Sequence, residues 1–204
     1  MTRSRALVLV CSLVLGLGAG QALAQQAQSG QPEMTAEQKA MMEAWMKVAT
    51  PGDDHKFLDP MVGSWNVKMT SWETPGGPPT SSTGTTERVW VLGGRFVQES
   101  FKGEFSGMPF EGLGYTGYDN VKKKYTATWM DSMGTMTMIL TGSADRAAKT
   151  ITMSGQMDDV MTGKPITVRS VTRLLDKDKQ VYEMYGPDKS GTPFKMMEVV
   201  YSRK

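Results

Sequence analysis

The chain has 204 residues, with 23 Lys and Arg against 21 Asp and Glu, 18 Met, one His and one Cys. That length suits one domain with an appendage and is long enough for a proper core. A net charge of +2 without a basic block argues against a dedicated nucleic-acid binder, the lone His excludes a multi-histidine metal site, and the lone Cys excludes an internal disulfide.

Residues 1–24 read as a secretory signal peptide. Arg3 and Arg5 precede an apolar run from Ala6 to about Gly20, and Ala22-Leu23-Ala24 supplies a small-x-small cleavage site. The run is shorter than the roughly 20 residues a bilayer span requires. Cys11 follows Val8-Leu9-Val10, which lacks the small residue expected before a lipid-modified Cys. Cleavage after Ala24 would leave 21 basic and 21 acidic residues and no thiol, which fits an oxidising compartment. The expected location is periplasmic or secreted, with no membrane span after signal removal.

Residues 25–33 read as a flexible leader. Thr35-x-x-Gln38 is a capping box, and Pro51-Gly52 ends the helix that it starts. Met41, Ala44, Trp45 and Val48 form one apolar stripe on that helix, to be packed on the following domain or used for partner docking. Leader and helix together occupy 25–52.

From Gly63 the helical period gives way to short β-prone runs separated by turn residues: 63–72, 84–92, 95–102, 109–118, 123–131, 134–142, 149–157, 164–175, 180–186 and 192–202. Gly93-Gly94 suits a two-residue hairpin, Asp119-Asn120 and Asp145-Arg146 suit tight reversals, and Pro75 to Pro79 is a longer loop. About ten antiparallel strands in sequence order form a meander, and closing it removes two exposed edges. The expected fold is mainly β, a closed up-and-down barrel over 53–204 behind one N-terminal amphipathic helix. A two-sheet sandwich is the alternative. Which strand face points inward is left open, since Tyr125, Ala127, Trp129 and Asp131 on one side and Lys124, Thr126, Thr128 and Met130 on the other are both mixed.

Val62-Gly63-Ser64-Trp65 at the head of the meander resembles the lipocalin (calycin) signature. That resemblance implies that Trp65 closes one barrel end beneath a late basic side chain, Arg203 or Arg173. Gly93-Gly94-Arg95-Phe96, Phe110 to Gly114, Gly117-Tyr118-Asp119 and Lys124-Tyr125 through Trp129-x-Asp131-Ser132-Met133-Gly134 are similar to a bacterial family, the domain of unknown function 1579. The similarity covers about 55–204 and implies a lipocalin-like barrel with no established activity.

Polar residues inside β-patterned runs are the candidates for a site: Arg95, Glu99, Glu111, Trp129 and Asp131. Arg95 and Glu99, four apart, share a strand face, as do Trp129 and Asp131, so inward-facing they would orient a ligand headgroup. Seventeen methionines follow the initiator, among them Met133, Met136, Met138, Met153, Met157 and Met161. They suit an adaptable apolar wall, or soft thioether ligands for Cu(I). His55 lies before the first strand, outside the position of an axial haem ligand, and reads as a loop or capping residue. No phosphate loop, dinucleotide fingerprint, nucleophile elbow or zinc spacing occurs.

The function expected from these residues is non-covalent binding of a small apolar or amphipathic molecule. Arg95, Glu99, Trp129, Asp131 and Met138 would line the site, and Trp65 with Arg203 would close the barrel. No cofactor, resident metal or catalytic residue is assigned. A periplasmic methionine-rich Cu(I) binder and an enzyme using barrel carboxylates such as Glu99 or Asp131 are the alternatives.

Overall fold

The structure is a computed structural model, described over residues 33–160 and 162–204. The signal peptide expected over 1–24, with Cys11, most of the leader, and Met161 lie outside the described residues. The chain divides into two compact units, one ending at Ala44 and the other running from Trp45 to Lys204.

Helix α1, Ala36–Ala49, begins at the expected capping box: Gln38 N–H donates to Thr35 Oγ1 at 3.2 Å, and Thr35 N–H donates to Gln38 Oε1 at 2.9 Å. Its last turn belongs to the second unit. There the Asn120 side-chain amide donates to the carbonyls of Val48 and Thr50, both at 2.9 Å, satisfying groups that a helix end leaves unpaired. Trp45, from the apolar stripe, is exposed.

A short helix α2, Asp53–Lys56, and a 3₁₀ turn at Asp59–Met61 lead into ten strands. These are β1 Gly63–Ser71, β2 Thr80–Val91, β3 Phe96–Phe105, β4 Met108–Asp119, β5 Lys124–Asp131, β6 Met138–Asp145, β7 Thr150–Asp158, β8 Pro165–Leu174, β9 Lys179–Pro187 and β10 Pro193–Arg203. Each strand pairs antiparallel with its sequence neighbours, and β1 pairs with β10, from Trp65 opposite Arg203 to Ser71 opposite Met197, so the barrel is closed. The closed meander expected from the sequence is the fold, and the sandwich is not. Alternation settles the inward face. Trp65, Val67 and Met69 of β1 are buried between exposed Asn66 and Lys68, and Tyr125 on β5 is buried beside exposed Lys124.

Two turns differ from expectation. The β2–β3 connection spans four residues, Leu92 to Arg95, with positive φ at Leu92, Gly93 and Gly94, so Arg95 belongs to the turn and β3 starts at Phe96. Strand β6 starts at Met138 rather than 134, because Asp131 Oδ1 accepts the Met133 N–H at 3.0 Å and holds the chain in a turn.

One barrel end is plugged by residues 53–62. Leu58 is fully buried, and the plug is pinned from several strands. Trp65, also fully buried, donates its indole N–H to the Met61 carbonyl at 3.0 Å. The Arg203 guanidinium lies 4.1 Å from the centre of a Trp65 ring and donates to the carbonyls of Val62 at 3.0 Å and Pro60 at 3.3 Å. A Cβ at Gly63, where φ is +129°, would collide with that guanidinium. Arg173, the other late basic residue considered for this clasp, lies outside it and pairs with Glu183 at 3.1 Å. Tyr125 donates its hydroxyl to the Asp54 carbonyl at 3.0 Å, and burial and the Asp54 charge push its pKa up to about 12.

His55 is buried within the plug, where its Nδ1 accepts the Gly52 N–H at 3.1 Å. Burial holds its pKa below the usual 6.5, against the opposing pull of Asp54.

Two expectations concern the plug. Arg203→Ala should lower unfolding stability by about 2–3 kcal/mol, and Arg203→Lys should restore less than half, since one ammonium cannot replace a stacked fork. Equal urea midpoints for wild type and Arg203→Ala would contradict this. For His55, the unfolded chain binds the proton more readily, so stability is full above about pH 6.5 and falls as pH drops below it. Between about pH 7.5 and pH 5.5 the loss should reach at most about 1.4 kcal/mol and should disappear in His55→Gln, measured by urea unfolding.

Candidate functional site

The barrel interior is not filled. A cavity of about 900 Å³ extends from Met61 of the plug to Met133, Met136, Val160 and Pro165 at the opposite end, within the size range of ligand pockets. Val160, Met133 and Met136 line the cavity yet are exposed, so they mark its mouth. Much of the remaining wall is thioether and aromatic: Met138, Met153, Met157, Met184 and Met197 with Phe101, Phe110, Trp129, Tyr182 and Tyr201.

A row of cross-strand partners carries the polar character. Arg88 on β2 faces Glu99 on β3, Glu99 faces Gly114 on β4, Gly114 faces Trp129 on β5, and Trp129 faces Met138 on β6. Because side chains alternate, one inward residue sets the direction of all its opposite numbers, so the row rings half the barrel on its inner face. Arg88 is 3% exposed. Its Nη2 donates to Glu99 Oε2 at 2.9 Å, its Nη1 donates to Gln180 Oε1 at 2.9 Å, and its guanidinium lies 4.0 Å from the centre of the Tyr201 ring. The Nε of Arg88 is buried without a partner. Burial works against the Arg88 charge, but adjacent Glu99 more than offsets it and holds its pKa above the ordinary value. Gln180, fully buried, passes the network on by donating its amide to the Pro60 carbonyl of the plug. Burial, reinforced by the Glu99 charge, raises the Tyr201 hydroxyl pKa.

Nearer the mouth, Trp129 donates its indole N–H to Asp131 Oδ2 at 2.9 Å. A Cβ at Gly112 would fall inside van der Waals contact with the Trp129 ring, and at Gly114 it would stand 3.0 Å from it. Those two glycines let the indole lie down against β4 and keep the cavity wide beside it.

Of the residues singled out in the sequence, Glu99, Trp129, Asp131 and Met138 all line this cavity. Arg95 does not: its guanidinium donates to the Leu92 carbonyl at 3.0 Å, within the turn. Glu111 faces outward and pairs with Lys102 at 3.4 Å. The arginine that meets Glu99 is Arg88, which sequence reasoning missed along with Gln180, Tyr182 and Tyr201. A signal for Arg88 existed, since folding the chain back at Gly93-Gly94 places residue 88 opposite residue 99. Gln180 and Tyr201 meet Arg88 only through barrel closure. Among the described residues no group of three or more His, Cys, Asp or Glu could hold a metal ion.

The crystal structure of Rv2717c from M. tuberculosis is similar to this chain with a TM-score of 0.57 and 16% identity, covering 76% of this chain and 99% of that one. At that identity the likeness speaks for the fold. A redesigned β-barrel is also similar, with a TM-score of 0.37 and 14% identity, covering 74% of this chain and 95% of that one. No curated protein matches the chain in sequence. The family described as a protein of unknown function, DUF1579, matches residues 50–203, which takes in the plug and all ten strands. The chain with its plugged, hollow barrel belongs to the DUF1579 family.

Proposed function

We propose that this protein binds a small apolar or amphipathic molecule non-covalently inside its barrel. The observation that supports this best is the cavity of about 900 Å³, plugged at one end and reached at the other past Met133, Met136 and Val160. A soluble barrel can fill its interior with side chains or keep room for one small ligand. Here Gly112 and Gly114 on β4 leave space for the Trp129 ring of neighbouring β5 to lie along the wall, and the room is kept. Thioethers adapt their shape at little cost, which favours an apolar guest of variable outline. Glu99, Trp129, Asp131 and Met138 are the contact residues of this reading, with Arg88 and Tyr201 beneath them.

Titration of the protein with N-phenyl-1-naphthylamine should give a saturable, one-to-one rise in fluorescence. Met138→Trp, which fills space at the wall, should weaken binding roughly tenfold, equivalent to about 1.4 kcal/mol, with the thermal midpoint monitored alongside. A wild-type protein that gives no saturable signal overturns the binding reading.

The binding is proposed to take place outside the cytoplasm, in the periplasm or after secretion. This rests on the basic, apolar and small-x-small pattern of residues 1–24. Terminal sequencing of protein recovered from the periplasm or medium should begin at Gln25, and a chain retained in the cytoplasm with Arg3 still present would refute export.

A further inference from the structure

The proposal concerns the chemical class of the guest, and it rests on the binding reading above. Among the described residues, the charged side chains lining the cavity are the cation Arg88 and the carboxylates of Glu99, Asp131 and, exposed at the rim, Asp158. The cation is already matched, since Glu99 holds it at 2.9 Å and Tyr201 covers its face. Only its Nε is left without a partner. An anionic headgroup reaching for the Nη2 that Glu99 holds would have to displace that carboxylate and leave it buried and unpaired, which is strongly unfavourable. Asp131 accepts hydrogen bonds from the Trp129 indole N–H and the Met133 backbone N–H, and among the described residues neither Asp131 nor Asp158 has a side-chain cation within 4.0 Å. Low-dielectric walls concentrate the field of such charges inside the cleft.

Aromatic rings line the same cavity as Asp131. The Trp129 ring lies against Gly112 and Gly114 and lines the cavity, and its N–H is bonded to Asp131. Phe110 packs on Phe101 at 5.5 Å between ring centres and on Phe105 at 6.1 Å, and all three line the same wall. A carboxylate bonded to an indole N–H attracts an organic cation by charge, and the faces of the other rings on the same wall add their quadrupole attraction. The thioether wall takes the alkyl or aryl remainder.

We propose that the cavity selects hydrophobic organic cations, amines or quaternary ammonium compounds, and rejects carboxylate amphiphiles of the same length. Trp129 and Asp131 form the headgroup subsite, and Asp158 draws the cation in at the mouth.

The test is displacement of N-phenyl-1-naphthylamine from the full chain by dodecyltrimethylammonium, dodecanol and dodecanoate, all below their micelle-forming concentrations. Dodecyltrimethylammonium should displace the dye at least about tenfold more effectively than dodecanoate, and rising salt should narrow the gap. Asp131→Asn should reduce the gap to roughly threefold or less, with each displacement normalised to the dye affinity measured for that variant. If Asp131→Asn does not fold, Asp158→Asn, at the edge of the mouth, should show a smaller loss in the same direction. Equal displacement by cation and carboxylate, or preference for dodecanoate, overturns the charge selection while leaving dye binding, and hence the binding reading, intact. Failure of the dye to bind overturns both.

Discussion

A guanidinium inside a β-barrel is the constraint around which this interior is arranged. Moving an isolated charge from water to such a place costs far more than one domain can offset, so Arg88 must bring its partners with it. Glu99 comes from the neighbouring strand, Gln180 from β9 and Tyr201 from β10. Gln180 in turn holds the Pro60 carbonyl. One buried cation thus ties β2, β3, β9, β10 and the plug together, on both sides of the junction where the first and last strands close the barrel. The network also marks one register, because any slip between β2 and β3 would separate Arg88 from Glu99.

The two ends of the barrel follow from this arrangement. At the plugged end, buried polar atoms find stated partners: the Trp65 indole on the Met61 carbonyl, Arg203 on Val62 and Pro60, and His55 on Gly52. Leu58 and Met61 pack beneath them as part of one apolar core. At the other end the polar ties lie within the turns, where Asp131 accepts the Met133 N–H and Asp159 accepts the Thr162 N–H and hydroxyl, and apolar side chains remain in solvent at Met108, Met133, Met136 and Val160. Exposed apolar side chains also stand elsewhere on the barrel, at Val89, Leu92, Val121, Ile139 and Leu175.

The fold was legible in the sequence because its signals are local. Alternation along β1, turn residues between strands and the Gly63-Ser64-Trp65 motif each act over a few positions, and together they specify ten strands and the residue that closes one end. The candidate site was partly legible for the same reason. Trp129 and Asp131 share a face by simple alternation, whichever way that face points. The partner of Glu99 was misread because the pairing with Arg95 assumed that both lie in one strand, whereas a four-residue turn takes Arg95 out of it. Arg88 required one further step, folding β2 on β3. Gln180 and Tyr201 required knowledge of closure, which brings residues about ninety and more than one hundred positions away to the same charge, and no local pattern encodes that.

The cavity persists because its walls cannot easily collapse. Side chains that could lean inward are held by specific bonds, as Trp129 is by Asp131 and Arg88 by Glu99 and Gln180. Across from the bulky indole stand Gly112 and Gly114, so the ring lies flat against the sheet instead of crossing the interior. A closed ladder of ten strands resists flattening, since every strand has both neighbours. What is left to move is the thioether lining, the softest side chains available, hung on a rigid frame. Rigid charge placement with compliant apolar walls is a combination that discriminates headgroups strictly and hydrocarbon shapes loosely. On the proposed binding reading, it is therefore the charge of the guest, more than its outline, that this interior would select.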